Sequence, residues 1–200
     1  MNYPITVTLS DLRKKGAYFE SYNKVVRSLQ GLPFTCKDSI RKSYIRYAHK
    51  GDILLSSIVH SNCLDNALWA LRCIPGIERD ARLFAVWCAR RVQHLMTSPH
   101  SLIALDIATL YANGRATDMD LTDAWVAARD AARAAQNADE WDASRAAVWV
   151  TSKYAPQAAE QATLWASDRD TEEEAQKAMF IKMCEGRAPW QETARDMERS

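Results

Sequence analysis

Glycine and proline are scarce in this chain, six of each in 200 residues. Each glycine stands beside the end of an apolar-periodic segment. That leaves none for a phosphate-cradling loop, and no Gly-x-Ser-x-Gly elbow is present. Apolar runs last only a few residues, too short for a transmembrane helix. The first residues, MNYPITVTLSDLRKK, lack a basic start followed by an apolar h-region, so no signal peptide and a cytoplasmic location are expected. Strand-like alternation is nearly absent. The five cysteines (Cys36, Cys63, Cys73, Cys88, Cys184) are odd in number and irregularly spaced. That argues against a disulfide framework and for reduced thiols, with Cys63, Cys73 and Cys88 inside apolar helical patterns.

What remains is helical periodicity. Leu64, Leu68 and Leu71, with Ala67 and Trp69 beside them, form one run, which breaks at Pro75-Gly76. A second run carries Ile77, Ala81, Ala85, Cys88, Val92 and Leu95 on one face, flanked by Leu83, Phe84 and Trp87. Its polar stripe is narrow: Arg79, Arg82, Arg90 and Gln93. A helix apolar around most of its circumference must be surrounded by other helices. This pair is expected to be the core, with Trp87 inside it. The arginine stripe of Arg72, Arg79, Arg82, Arg90 and Arg91 should find partners in the acidic C-terminal half.

Helix starts and stops frame the rest. Thr8, Thr117 and Thr171 each open a capping-box pattern, and Ser98-Pro99 is a cap followed by a first-turn proline. Gly16, Gly31, Gly51, Gly114 and Gly186 are placed to end helices. Tyr18, Tyr22, Val25, Val26 and Leu29 repeat at three and four. Asp38 or Ser39 is expected to start a helix through Ile40, Tyr44 and Tyr47 to Gly51, and Asp52 a short turn through Leu55 and Val59. Between Leu121 and Ala155 alanine dominates, with Trp125, Trp141, Trp149 and Trp165 spaced along this region and beyond. Alanine lets helix axes approach closely, so tightly packed helices are expected there. Pro156 marks a boundary, and Pro189 opens a last helix through Trp190. No Pro/Ser-rich linker divides the chain. The pattern describes a single all-α domain, 1–200, a bundle of eight to ten helices: basic over 1–60, core over 63–115, Ala-rich and acidic over 117–200.

The net charge of +1 conceals an asymmetry. Residues 1–50 carry ten Lys/Arg against three Asp/Glu, and residues 101–200 carry eleven against eighteen. Opposite-signed ends either pair internally or present two surfaces of different potential to partners. Two candidate surfaces follow. On the basic side, Arg41, Lys42 and Arg46 line one face of the expected helix, with tyrosines interleaved. This suits an acidic protein partner or, less well, the phosphates of a nucleic acid. On the acidic side, Asp118, Asp120 and Asp123 crowd the first turn of one helix, where capping is their ordinary role. Cys36, His49, His60 and Cys63 do not match metal-ligand spacing. His94 and His100 read as solvated surface. No catalytic residue, metal or cofactor is expected.

The ALWALR run, the break, and RDARLFAVWCARRV together resemble the immunity-protein family of bacterial polymorphic-toxin loci and prophages (immunity family five). The likeness extends to the Ala-rich helices and to Ala188-Pro189-Trp190-Gln191, although the family's charged residue ahead of the Trp-Gln pair is absent here. It covers about two-thirds of the chain. The resemblance implies a non-enzymatic protein that neutralises a toxin or effector by stoichiometric binding, with Trp190 and Gln191 as further partner-binding candidates. The alternative is a phage-encoded inhibitor of a host defence nuclease or CRISPR complex, whose acidic half mimics nucleic acid. A nucleic-acid-binding accessory protein is the second alternative.

Overall fold

Local signals account for most helix boundaries. Thr8 caps α1 (Leu9–Lys14), accepting from the Asp11 N–H while Asp11 reaches back to the Thr8 backbone, and Thr117 caps α8 (Asp118–Arg133) in the same way. Ser98 and Pro99 open α7 (Pro99–Ala112). Asn137 caps α9 (Ala138–Val150), and α10 (Ala155–Trp165) carries Pro156 in its first turn. The chain leaves α2 (Phe19–Leu29) and α7 through Gly31 and Gly114, at φ 66° and 69°. Only glycine adopts that conformation without strain. The computed structural model describes residues 3–166 and 170–192, apart from the side chains of Asp170 and Thr171.

The protein is mostly all-α, with nine helices of seven or more residues among the described residues. Helix α6 (Glu78–Arg91) is the hub: it packs most extensively on α10, and also on α7, α9 and α11 (Asp170–Cys184). Helices α7, α8, α9 and α10 pack each on the next. Ala124, Ala128 and Ala132 of α8, Ala143, Ala146 and Ala147 of α9, and Ala155, Ala158, Ala159 and Ala162 of α10 are all buried. With only a methyl group at each contact, neighbouring helices pack closely. Helix α4 (Leu55–Ser61) packs on α5 (Leu64–Ala70), which reaches α10. Buried apolar side chains from Ile5 to Ala188 form one continuous core. A further helical turn opens at Pro189.

Several expectations are corrected. The run from Ser39 to Gly51 is not a helix: only Cys36–Ser39 (α3) is helical, capped by Thr35, and Gly51 ends no helix. The reason is Asn23, wholly buried on α2. Its amide donates to the Ser43 carbonyl at 3.0 Å and accepts from the Ile45 N–H at 2.8 Å. A side chain that satisfies the 43–45 backbone removes the gain from helical hydrogen bonds there. A two-stranded antiparallel sheet also forms, pairing β1 (Thr6–Val7) with β2 (Ile53–Leu54). It brings together segments far apart in sequence. Helix α11 opens at Asp170, ahead of Thr171, and its cap lies outside the described residues.

Arg82 is 3% exposed and not on a polar stripe. It donates to the carbonyls of Val150 at 2.6 Å and Lys153 at 3.3 Å, and its guanidinium stacks on Tyr111. A cation at the C-terminus of α9 is stabilised by the helix dipole and by carbonyls that lack intrahelical partners. Trp87 is half-buried at the core's edge, under the Arg91 guanidinium. Three stripe arginines do pair with the acidic half: Arg72 with Glu160, Arg90 with Asp106 and Arg91 with Glu172.

Candidate interaction surface

The longest stretch of exposed irregular chain follows α2. Its near end is fixed by a polar knot. Asp38, buried, accepts from Arg27 Nη2 at 2.7 Å and from the Thr35 hydroxyl at 2.8 Å. The Arg27 hydrogen bond, and then those of Thr35, hold its carboxyl well below the usual carboxylate range. Its middle is held by Asn23, and by Tyr44, whose hydroxyl donates to the Ala17 carbonyl at 2.7 Å. The Tyr44 ring packs edge-on against Phe19 and Tyr22, each with centroids at 4.7 Å. Tyr22 and Tyr44 therefore serve the fold.

With those residues turned inward, the rest of the segment faces solvent. Ile40 is 78% and Leu32 50% exposed, and Arg41, Lys42 and Arg46 are exposed as well. None of the three cations has an ion-pair partner among the described residues, whereas Lys24 and Arg27 are paired. Because the segment is not helical, Arg41, Lys42 and Arg46 are presented by an irregular strap instead of a helix face. A largely apolar groove of about 290 Å³ lies on the other side of Tyr22, lined by Tyr18, Tyr22, Val25, Trp69 and Leu164, with Asp65 and Glu160 also in its lining. Tyr22 is the shared wall, touching Tyr44 of the strap. Tyr18 at the groove's lip is 77% exposed, where helical spacing had suggested core.

The acidic trio is largely committed to local structure. Asp120 completes the Thr117 capping box, and those hydrogen bonds lower its pKa. Asp118 accepts from the Tyr111 hydroxyl at 2.7 Å. Only Asp123 is exposed with no such task.

The C-terminal pair is placed differently from expectation. Gln191 is 4% exposed, and its amide donates to Asp80 at 2.8 Å, Tyr3 at 2.8 Å and the Met183 carbonyl at 3.1 Å. Its oxygen accepts from the Ala188 N–H at 2.9 Å. Trp190 is partly buried against the core, and its carbonyl accepts from Arg79 at 3.3 Å. Gln191 thus clasps the two ends of the chain to α6 and offers no surface to a partner.

Comparison with protein-family models, with curated proteins and with solved structures finds no match to this chain. The described residues bring no three His, Cys, Asp or Glu side chains together. Cys36 is exposed at the start of α3, His49 stacks on Tyr47, and Cys63 accepts from Asn66. No helix among the described residues is long and apolar enough to cross a membrane.

Proposed function

We propose that this protein acts by stoichiometric binding of an acidic protein partner, as an immunity- or antitoxin-like inhibitor that blocks a toxin or effector by contact. The observation that carries the reading is the strap. Unpaired Arg41, Lys42 and Arg46 share an irregular segment with solvent-exposed Ile40, and Tyr44 of that segment packs on Tyr22, a wall of the groove. Exposed apolar residues ringed by charges that the fold leaves unpaired are the composition of a recognition surface. The charges steer an acidic partner and set specificity, while the isoleucine and the groove supply the apolar anchor. The acidic surface is the weaker candidate, because reversing Asp118 or Asp120 disturbs contacts that α8 itself needs.

Two triple reversals test the reading. Capture of the partner from the native host is compared for wild type, for Arg41→Glu with Lys42→Glu and Arg46→Glu, and for Asp118→Lys with Asp120→Lys and Asp123→Lys. The basic reversal should weaken capture at an unchanged melting temperature and flatten the salt dependence of what binding remains. Capture lost only in the acidic variant, with its melt intact, would move the interface to the acidic half and favour the nucleic-acid-mimic reading.

A further inference from the structure

The other large concavity lies where the end of α7, helices α8 and α9 and the α9–α10 turn meet. It is an open cleft of about 640 Å³, within the ~300–1,000 Å³ range of small-molecule pockets. Tyr111, Trp125, Trp149 and Tyr154 form its aromatic lining, and Arg129, Arg145 and Lys153 supply three positive charges. Its one carboxylate, Asp118, already accepts from Tyr111.

The charges are poorly answered. The Arg129 guanidinium lies on the Trp125 ring, 4.7 Å from its centroid. The nearest acid, Asp130, stands 3.6 Å from Nε and also faces Arg133. The Arg145 guanidinium lies 5.2 Å and 5.0 Å from the ring centroids of Trp141 and Trp165, which are not part of the lining, and has no ion pair among the described residues. The carbonyls of Val150 and Lys153 at the end of α9 are engaged by Arg82. Aromatic faces beside Arg129 and Lys153, with a single carboxylate already engaged by Tyr111, describe a ligand that is both flat and anionic. Tyr154, 64% exposed, offers such a face at the mouth.

We propose that this cleft binds a small ligand in which a planar aromatic ring is linked to a phosphate, of the nucleoside-monophosphate class, with the ring stacked on the cleft aromatics and the phosphate held by Arg129 and Lys153. Stacking tolerates any base because every base has a π-face. A guanidinium pre-oriented on a ring loses little freedom when it takes a phosphate. The proposal is independent of the strap.

The test is calorimetric titration with AMP, GMP, CMP and UMP, then with inorganic phosphate alone and with the nucleoside of the tightest nucleotide. At least one nucleotide should bind one-to-one with Kd below about 1 mM. Its nucleoside and free phosphate should each bind at least about tenfold more weakly. Arg129→Met and Lys153→Met, both melting as wild type, should each weaken the nucleotide about tenfold or more, as expected for losing a hydrogen bond between charged groups. Lys153 is exposed, so its variant remains informative if Arg129→Met fails to fold. The proposal is overturned if no nucleotide binds, if phosphate or nucleoside binds as well as the nucleotide, or if the folded variants bind as wild type.

Discussion

Tyr3→Phe removes one oxygen from a buried network that joins the first described residue to α6 and to the C-terminal turn. The Tyr3 hydroxyl donates to Asp80 and accepts from Gln191. Asp80, nearly inaccessible, also takes Gln191 Nε2 at 2.8 Å and faces Arg79 at 3.3 Å. Burial, followed by the hydrogen bond to Asp80, raises the Tyr3 pKa well above that of a free phenol, so the proton stays on the donor. Phenylalanine keeps the ring and takes away the proton that Asp80 accepts. A hydrogen bond to a charged group contributes about 1.5–3 kcal/mol net, and that is the expected loss. For a chain of this size each kcal/mol moves the midpoint about 2–4 °C, so the melting temperature should fall by about 3–12 °C. Urea unfolding followed by tryptophan fluorescence at neutral pH measures it, with an unchanged m-value as the check that neither end state has altered. Gln191→Leu should cost at least as much, because it also strands the Ala188 N–H. The double variant should be less destabilised than the sum by about 0.5–3 kcal/mol, as residues of one network couple. A Tyr3→Phe cost under about 0.5 kcal/mol, additive with Gln191→Leu, would show that Asp80 is satisfied without the N-terminus and refute the clasp.

Trp87→Ala should cost about 1–3 kcal/mol in the same assay, below the ~3–5 kcal/mol of a fully buried aromatic, because the ring is only partly buried and lies under the Arg91 guanidinium. Acid should destabilise the fold. The pKa values of Asp38 and Glu140 are depressed by hydrogen bonds from Arg27 with Thr35 and from Thr97 with Gln136. Their contribution is complete above the unfolded carboxylate pKa of about 4 and is lost as pH falls toward the folded values. The urea midpoint should drop between pH 5 and pH 3, with a shallower slope in Arg27→Met; equal slopes would remove Asp38 from the account. Cys36 should be the fastest thiol to react with an aromatic disulfide in the folded protein, because it is exposed. Cys88, whose thiol burial pushes up to about 12, should react only on unfolding; rapid labelling of Cys88 would mean that the α6–α10 interface opens readily.

The all-helical class and most helix ends were legible in the chain because their causes are local. A Thr8 or Thr117 hydroxyl caps an N–H three residues away, and Gly31 and Gly114 supply a left-handed turn wherever they are placed. Apolar spacing likewise marked α6 as the core helix. The cleft left a weaker trace, since Trp125 and Arg129, and Trp141, Arg145 and Trp149, recur at four-residue spacing. What the pattern could not carry is any choice made by a distant partner. Ser39–Gly51 has a helix-like rhythm, yet the amide of Asn23 ties its backbone down outside a helix, and so the three basic residues sit on a strap. Arg82 is written as a surface cation and becomes a buried cap because the end of α9 arrives above it. Gln191 is written as a terminal polar residue and is interior because Tyr3 and Asp80 converge on it. Hydrogen bonds within a turn are specified by neighbours in sequence. Those that satisfy a buried polar group across 20, 68 or 188 residues exist only once the helices have packed and excluded water, and tertiary structure alone decided them.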